Sequence, residues 1–279
     1  MHKKGDEKRL YKKSLRIFLG GTIIAALLRI LLKTLYIDTQ SGFYLGGSAL
    51  VYSFGVLLLL TTLAVTVSTL RADSADTVTL RGNRPLELAA AVLGVTVAAT
   101  SVPKLMAALA IDPTEPVINR LPAWLLVVEN ILGMMAGVGF LYLAFCFYSG
   151  FKRSGLQGML ALPMVIWQAI SIVERYISFR QVNTVSDQFI ETMYLVFATL
   201  FLLANTRCMA GIPKSRKICV IWGLLASHFG LVLIVGQLAG IAVLGSEISG
   251  PPVLQILTIA ALTLYALVVS CSLIYCGDN

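Results

Sequence analysis

Eight runs of mainly apolar residues, each longer than twenty, dominate this chain. They cover residues 14–36, 45–70, 86–111, 121–148, 156–177, 187–209, 218–244 and 252–276. A helix needs ~20 such residues to cross ~30 Å of hydrocarbon. The runs are too long for ordinary strands and lack the alternation of an outer-membrane barrel. In a bilayer every backbone N–H and C=O must be bonded within its own segment, which selects helix. The expectation is an all-α polytopic membrane protein, a bundle of eight transmembrane helices with the lipid bilayer as its first partner. The linkers are too short for a separate soluble domain, so residues 1–279 form a single transmembrane domain.

Composition supports this. The chain is 57% hydrophobic and 13% charged, with a mean hydropathy of +0.84. A soluble domain carries about 25% charged residues. Half that charge cannot cover a water-facing surface, which excludes a soluble enzyme, and the abundance of apolar residues excludes disorder.

Orientation follows from the Lys/Arg balance of the connections. The N-terminal segment carries Lys3, Lys4, Lys8, Arg9, Lys12, Lys13 and Arg16. Arg71, Arg81 and Arg84 lie in the second connection, Lys152 and Arg153 in the fourth, and Arg207, Lys214, Arg216 and Lys217 in the sixth. Together they are 16 basic residues on one side, against Arg120, Arg175 and Arg180 on the other. Both termini are therefore expected in the cytoplasm, across a cell (inner or plasma) membrane. Most of the net charge of +8 is topological. A nucleic-acid partner is not expected, because no basic domain interleaved with aromatics accompanies these residues. The first span reads as a retained signal anchor rather than a cleaved leader, since no small-residue cleavage site follows it.

The sequence carries few signs of enzymatic chemistry. There is no phosphate-cradling glycine loop, no H-E-x-x-H helix and no G-x-S-x-G elbow. The two histidines are His2 and His228. Cys146, Cys208, Cys219, Cys271 and Cys276 all fall in spans or at their cytoplasmic ends, without a C-x-x-C pair. Neither a disulfide framework nor a zinc or redox site follows from them. No enzyme activity, cofactor or metal is expected. No internal repeat is evident between the two halves, so the inverted-repeat signature of many transporters is missing.

The informative residues are the polar ones within spans, where an ionisable group costs about 2.5–3.5 kcal/mol at the centre. Glu129 lies eight residues into the fourth span, ~12 Å below its outer boundary. Lys104 ends up at a similar level in the third span, which suggests a Lys104–Glu129 pair. Arg29 and Lys33 share a face of the first span. Gln168, Glu174 and Arg175 lie in the fifth, Glu191 in the sixth, Gln237 in the outer part of the seventh. The inner halves carry almost no charge. The candidate ligand-binding residues are thus Glu129, Lys104, Arg29, Gln168, Glu174 and Glu191, lining an outward-facing polar pocket. His228, near mid-depth of the seventh span, is a candidate proton-linked group if it titrates against a carboxylate. The competing reading is that Lys33, Glu174, Arg175 and Glu191 snorkel separately to the interface, that Lys104–Glu129 is purely structural, and that His228 only bonds helices.

Pro103 and Pro163 are expected to kink the third and fifth spans beside polar side chains, exposing backbone. Gly133-x-x-x-Gly137 and Gly236-x-x-x-Gly240 are faces for close helix packing. Residues 38–44 form a polar turn followed by aromatics, suited to a lid or an aromatic belt.

Two functions fit. One is a multi-pass inner-membrane transporter or permease for a small polar or charged solute, with Glu129 neutralising a cationic group or Lys104 and exchanging partners as solute enters. The other is a non-transporting sensor or accessory subunit whose basic stretch Arg207 to Lys217 contacts a membrane protein partner. A lipid-acting enzyme using Glu129 and His228 is the least supported.

Overall fold

The computed structural model describes residues 2–36, 49–72, 83–112, 121–150, 158–159, 161–178, 185–244 and 253–275. The turn at 38–44, Arg81, Arg120, Lys152, Arg153, Arg180 and Cys276 lie outside these residues. The long helices are α1 (His2–Leu35), α2 (Ala49–Leu70), α3 (Arg84–Leu109), α4 (Ala123–Ser149), α5 (Leu162–Ser178), α6 (Val185–Met209), α7 (Ser215–Leu244) and α8 (Val253–Tyr275). Seven of them are long and apolar enough to cross a membrane. The exception is α5, whose 17 residues rise ~25 Å.

The shortness of α5 has a local cause. The expected run began at 156, but Pro163 stands second in the helix. There its missing N–H has no intrahelical acceptor to lose and its fixed φ suits the first turn. Pro163 therefore starts the helix and does not kink it, contrary to the expectation for this span. Pro103 is different: it lies inside α3, two turns from the end, where it removes an internal hydrogen bond.

Polar caps fix the helix ends. Asn83 Oδ1 accepts the Leu86 N–H at 3.3 Å, satisfying one orphan donor of α3. Its Nδ2 donates to Ser272 Oγ at 2.7 Å, tying that end to α8. Arg216, at the start of α7, donates from Nε at 3.0 Å to the Leu273 carbonyl near the end of α8, and its guanidinium lies 5.5 Å from the Tyr11 ring of α1. A cation there complements the negative end of α8. So Arg216 is buried between helices, and the basic stretch offered to a partner is reduced by its most committed member.

Small residues set the packing. A Cβ on Gly94 would stand 2.8 Å from the Gly137 carbonyl oxygen, and one on Gly137 would stand 2.9 Å from that of Gly94. The backbones of α3 and α4 meet here, as a small-xxx-small face allows. Gly133, one turn away, faces Ser101 and Trp167. On α7, Gly236 makes room for the Arg29 side chain of α1.

Helices α3, α4, α5, α6 and α8 follow one another around a ring, α3 closing onto α8. On the far side of α6 and α8 lie α7, the most buried of the apolar helices, and then α1 and α2. The outward surface is apolar: Leu27, Leu60, Val95, Phe145 and Leu264 are all exposed. An exposed belt of this extent suits contact with lipid, since soluble monomers rarely show one.

Candidate functional site

Helix α5 is the amphipathic member of the set, and its polarity faces inward. Gln168, Ser171, Glu174 and Arg175 recur at the three- and four-residue spacing that defines one helix face. All four line a cavity, while Ile166, Val173 and Tyr176 on the opposite side are exposed. A surface helix in water has the reverse arrangement.

The cavity measures 160 Å³. Thr100, Pro103 and Lys104 of α3 form one wall, and Trp167 joins the polar face of α5. Tyr194 and Leu195 of α6 and Leu254, Gln255, Thr258, Ile259 and Leu262 of α8 complete it. These residues fall toward the C-terminal ends of α3 and α5 and in the N-terminal halves of α6 and α8, so the cavity occupies one end of the ring. Deeper in the ring, Tyr265 meets Phe140 edge-on at 5.5 Å and Phe201 at 6.0 Å. All three rings are buried, and Asn205 Nδ2 donates to Tyr265 Oη at 3.0 Å. These aromatics form a packed cluster beyond the cavity lining.

The charged groups form two linked pairs with a third acid behind them. Lys104 Nζ lies 3.9 Å from Glu174 Oε2, with the two side chains 47% and 24% exposed. Arg175 Nε lies 3.2 Å from Glu191 Oε1. Glu129, only 3% exposed, accepts a hydrogen bond from Ser171 Oγ at 2.8 Å on Oε1. Its Oε2 has no hydrogen-bond donor among the described residues. Both Lys104 and Glu174 lie within electrostatic reach of Glu129, and Glu174 also acts on Glu191. The closest carboxylate to Lys104 is thus Glu174, and Glu129 shares that cation at longer range.

Of the expected site residues, Lys104, Gln168 and Glu174 line the cavity. Glu129 stands behind Ser171, and Glu191 stands behind Arg175. Arg29 is elsewhere, buried on α1 with its guanidinium 5.6 Å from the Phe54 ring and its chain against Gly236. His228 is also outside the cavity. Its Nδ1 hydrogen-bonds Thr22 Oγ1 at 2.8 Å, linking α7 to α1. Its Nε2 is buried without a partner among the described residues, and no carboxylate contacts it there. Gln237, placed in the outer part of α7, is likewise no lining residue.

Sequence reasoning passed over Ser171, Trp167, Thr100, Tyr194, Gln255 and Thr258. Neutral hydroxyls and aromatics are ordinary in membrane helices, so none stood out alone. The signal available was the spacing of Gln168, Ser171 and Glu174 with Arg175, which puts four polar groups on one face. Compared with protein-family models, with curated proteins and with solved structures, the chain matches none.

Proposed function

We propose that this is an eight-span membrane protein, both termini cytoplasmic, whose pocket at the outer end receives a small polar or charged solute, in the manner of a transporter or permease. The observation that carries the reading is the buried polar face of α5, directed into a cavity rather than toward lipid or a neighbouring helix. In this reading α5 is the eighth span. Its ~25 Å falls a little short of the hydrocarbon thickness, a mismatch that local thinning and interfacial side chains accommodate at modest cost. The Lys/Arg asymmetry assigns the cavity end to the outside.

Gln168 supports the reading independently. It is 3% exposed, lines the cavity, and makes no side-chain hydrogen bond among the described residues. Its amide is open to the cavity, where a solute or water can hydrogen-bond to it. A thermal-unfolding screen of the purified protein against amino acids, organic amines, carboxylates and sugars tests this. A ligand at a hundred times its Kd stabilises by about 2.7 kcal/mol. At least one class is expected to raise the unfolding temperature of the wild type and not of Gln168→Leu. A screen in which nothing shifts the wild type contradicts the reading.

The buried aromatic cluster of Phe140, Phe201 and Tyr265 favours a second reading, in which solute binds without passing through and the protein acts as a sensor or accessory subunit. Flux of the identified solute into liposomes containing only this chain separates the two.

A further inference from the structure

Glu129 stands just outside the cavity lining and is 3% exposed. Ser171 lies between the two. Its hydroxyl donates to Glu129 Oε1 at 2.8 Å, and the same residue lines the cavity. The other carboxyl oxygen, Oε2, is buried without a hydrogen-bond donor among the described residues. An isolated charge in such a place has neither water nor a counter-ion to offset its lost solvation. A proton on the carboxyl removes that charge.

The neighbouring helices bring no cation into contact with it. Helix α4 packs on α3 and α5. The charged groups acting on Glu129 from those helices are Lys104 and Glu174. Lys104 stands nearest Glu174, at 3.9 Å, and Arg175 of α5 is occupied by Glu191 of α6 at 3.2 Å. Two carboxyl groups side by side, away from bulk water, hold a proton more readily than two charges. The same surroundings make release possible. The Ser171 hydroxyl and the more distant Lys104 both favour the ionised form of Glu129. The cavity supplies the exchanging water: 160 Å³ has room for several molecules, and Thr100, Gln168, Gln255 and Thr258 offer them polar partners.

We infer that Glu129 is a proton-binding site that exchanges with the cavity through Ser171. On uptake, a hydronium ion in the cavity gives a proton to Ser171 Oγ while the Ser171 hydroxyl proton passes to Glu129 Oε1. Water, an intact serine and a neutral carboxylic acid remain. Release runs the two transfers in reverse and returns the proton to cavity water. Acidic side chains inside membrane helices serve proton relays in this manner. Proton linkage then belongs to Glu129 and not to His228, whose ring bonds Thr22 Oγ1 away from the cavity. The inference needs water in the cavity but no solute, so its failure leaves the solute reading standing.

The test is infrared difference spectroscopy of the full chain in liposomes, with carbon-13 glutamate to identify the glutamic-acid carbonyl stretch. At neutral pH, where solvated carboxyl groups are ionised, the wild type is expected to show this band. It is expected to vanish reversibly as the pH rises, to shift in heavy water, and to be missing from Glu129→Gln. Ser171→Ala, which leaves Glu129 in place, is expected to slow the heavy-water exchange at least tenfold. That comparison decides the matter even if Glu129→Gln does not fold, because Glu174 lines the cavity itself and does not need Ser171. A wild type without the band, or a band that Glu129→Gln leaves unchanged, overturns the inference. So does a band that neither titrates nor exchanges, or an exchange as fast in Ser171→Ala as in the wild type.

Discussion

At Gly94 and Gly137 the backbones of two helices come so close that a single methyl group has nowhere to go. A Cβ on Gly137 would also stand 3.0 Å from the backbone nitrogen of Ala98, so flexible side-chain movement cannot relieve it. Overpacking of this kind costs about 1–3 kcal/mol. Gly94→Ala and Gly137→Ala are each expected to lower stability by that amount in reversible SDS unfolding, whereas Gly20→Ala, with nothing within 4 Å, is expected to be neutral. Equal effects at Gly20 and Gly137 would contradict the close approach of α3 and α4. Tyr265 offers a second check. Tyr265→Phe keeps the ring in the cluster but strips the acceptor from Asn205 Nδ2. Leaving that buried donor unpaired is expected to cost about 1–3 kcal/mol, and a loss below ~0.5 kcal/mol would show that the bond is not made.

Among the elements, α5 carries the argument. Its inward polar face is stable only if the cavity satisfies it, so filling the place of Gln168 with an apolar side chain trades function for stability. Gln168→Leu is expected to raise the thermal stability of the ligand-free protein, by about 1 kcal/mol, because it exchanges a polar group in the cavity wall for apolar surface. A fall in stability would mean that the amide already has its partners. Much of this element was legible beforehand: Gln168, Glu174 and Arg175 were visible as polar intruders in an apolar run. The beginning of the helix was not. Apolarity runs on through Met159, Leu160 and Ala161 without a break, so only the backbone shows Pro163 in the first turn. Charge pairing was only partly legible. Depth estimates put Lys104 level with Glu129, yet rise along a helix says nothing about which way a side chain turns, and Lys104 turns to Glu174. Arg29 is packed against Phe54 and Gly236, among a different group of helices, and depth along a helix does not reveal which helices become neighbours.

For the molecule as a whole, the apolar belt and the polar interior set the solvent in which the fold makes sense. Leu60 sits midway along α2 and is 58% exposed. In water, an arginine at an exposed position changes stability by no more than about 0.5 kcal/mol. In a bilayer, at the centre of a helix, it costs about 2.5–3.5 kcal/mol. Leu60→Arg is expected to show the larger loss in reconstituted protein, and a neutral outcome would remove lipid from that face. The span count and sidedness come from a different level of the sequence, the recurrence of apolar runs and the bias of basic residues. Neither signal depends on side-chain direction, so both expectations rest on the sequence alone.

The most direct measurement is reaction with a membrane-impermeant thiol reagent added to intact cells. It uses Ser171→Cys and Lys104→Cys in a background where Cys271 and Cys276 are serine, with Val173→Cys as the lipid-facing comparison. Labelling at 104 and 171 from outside, and none at 173, is the predicted pattern. Labelling of 171 only after the cells are opened, or equal labelling at 171 and 173, would contradict a water-filled pocket at the outer end of the helices.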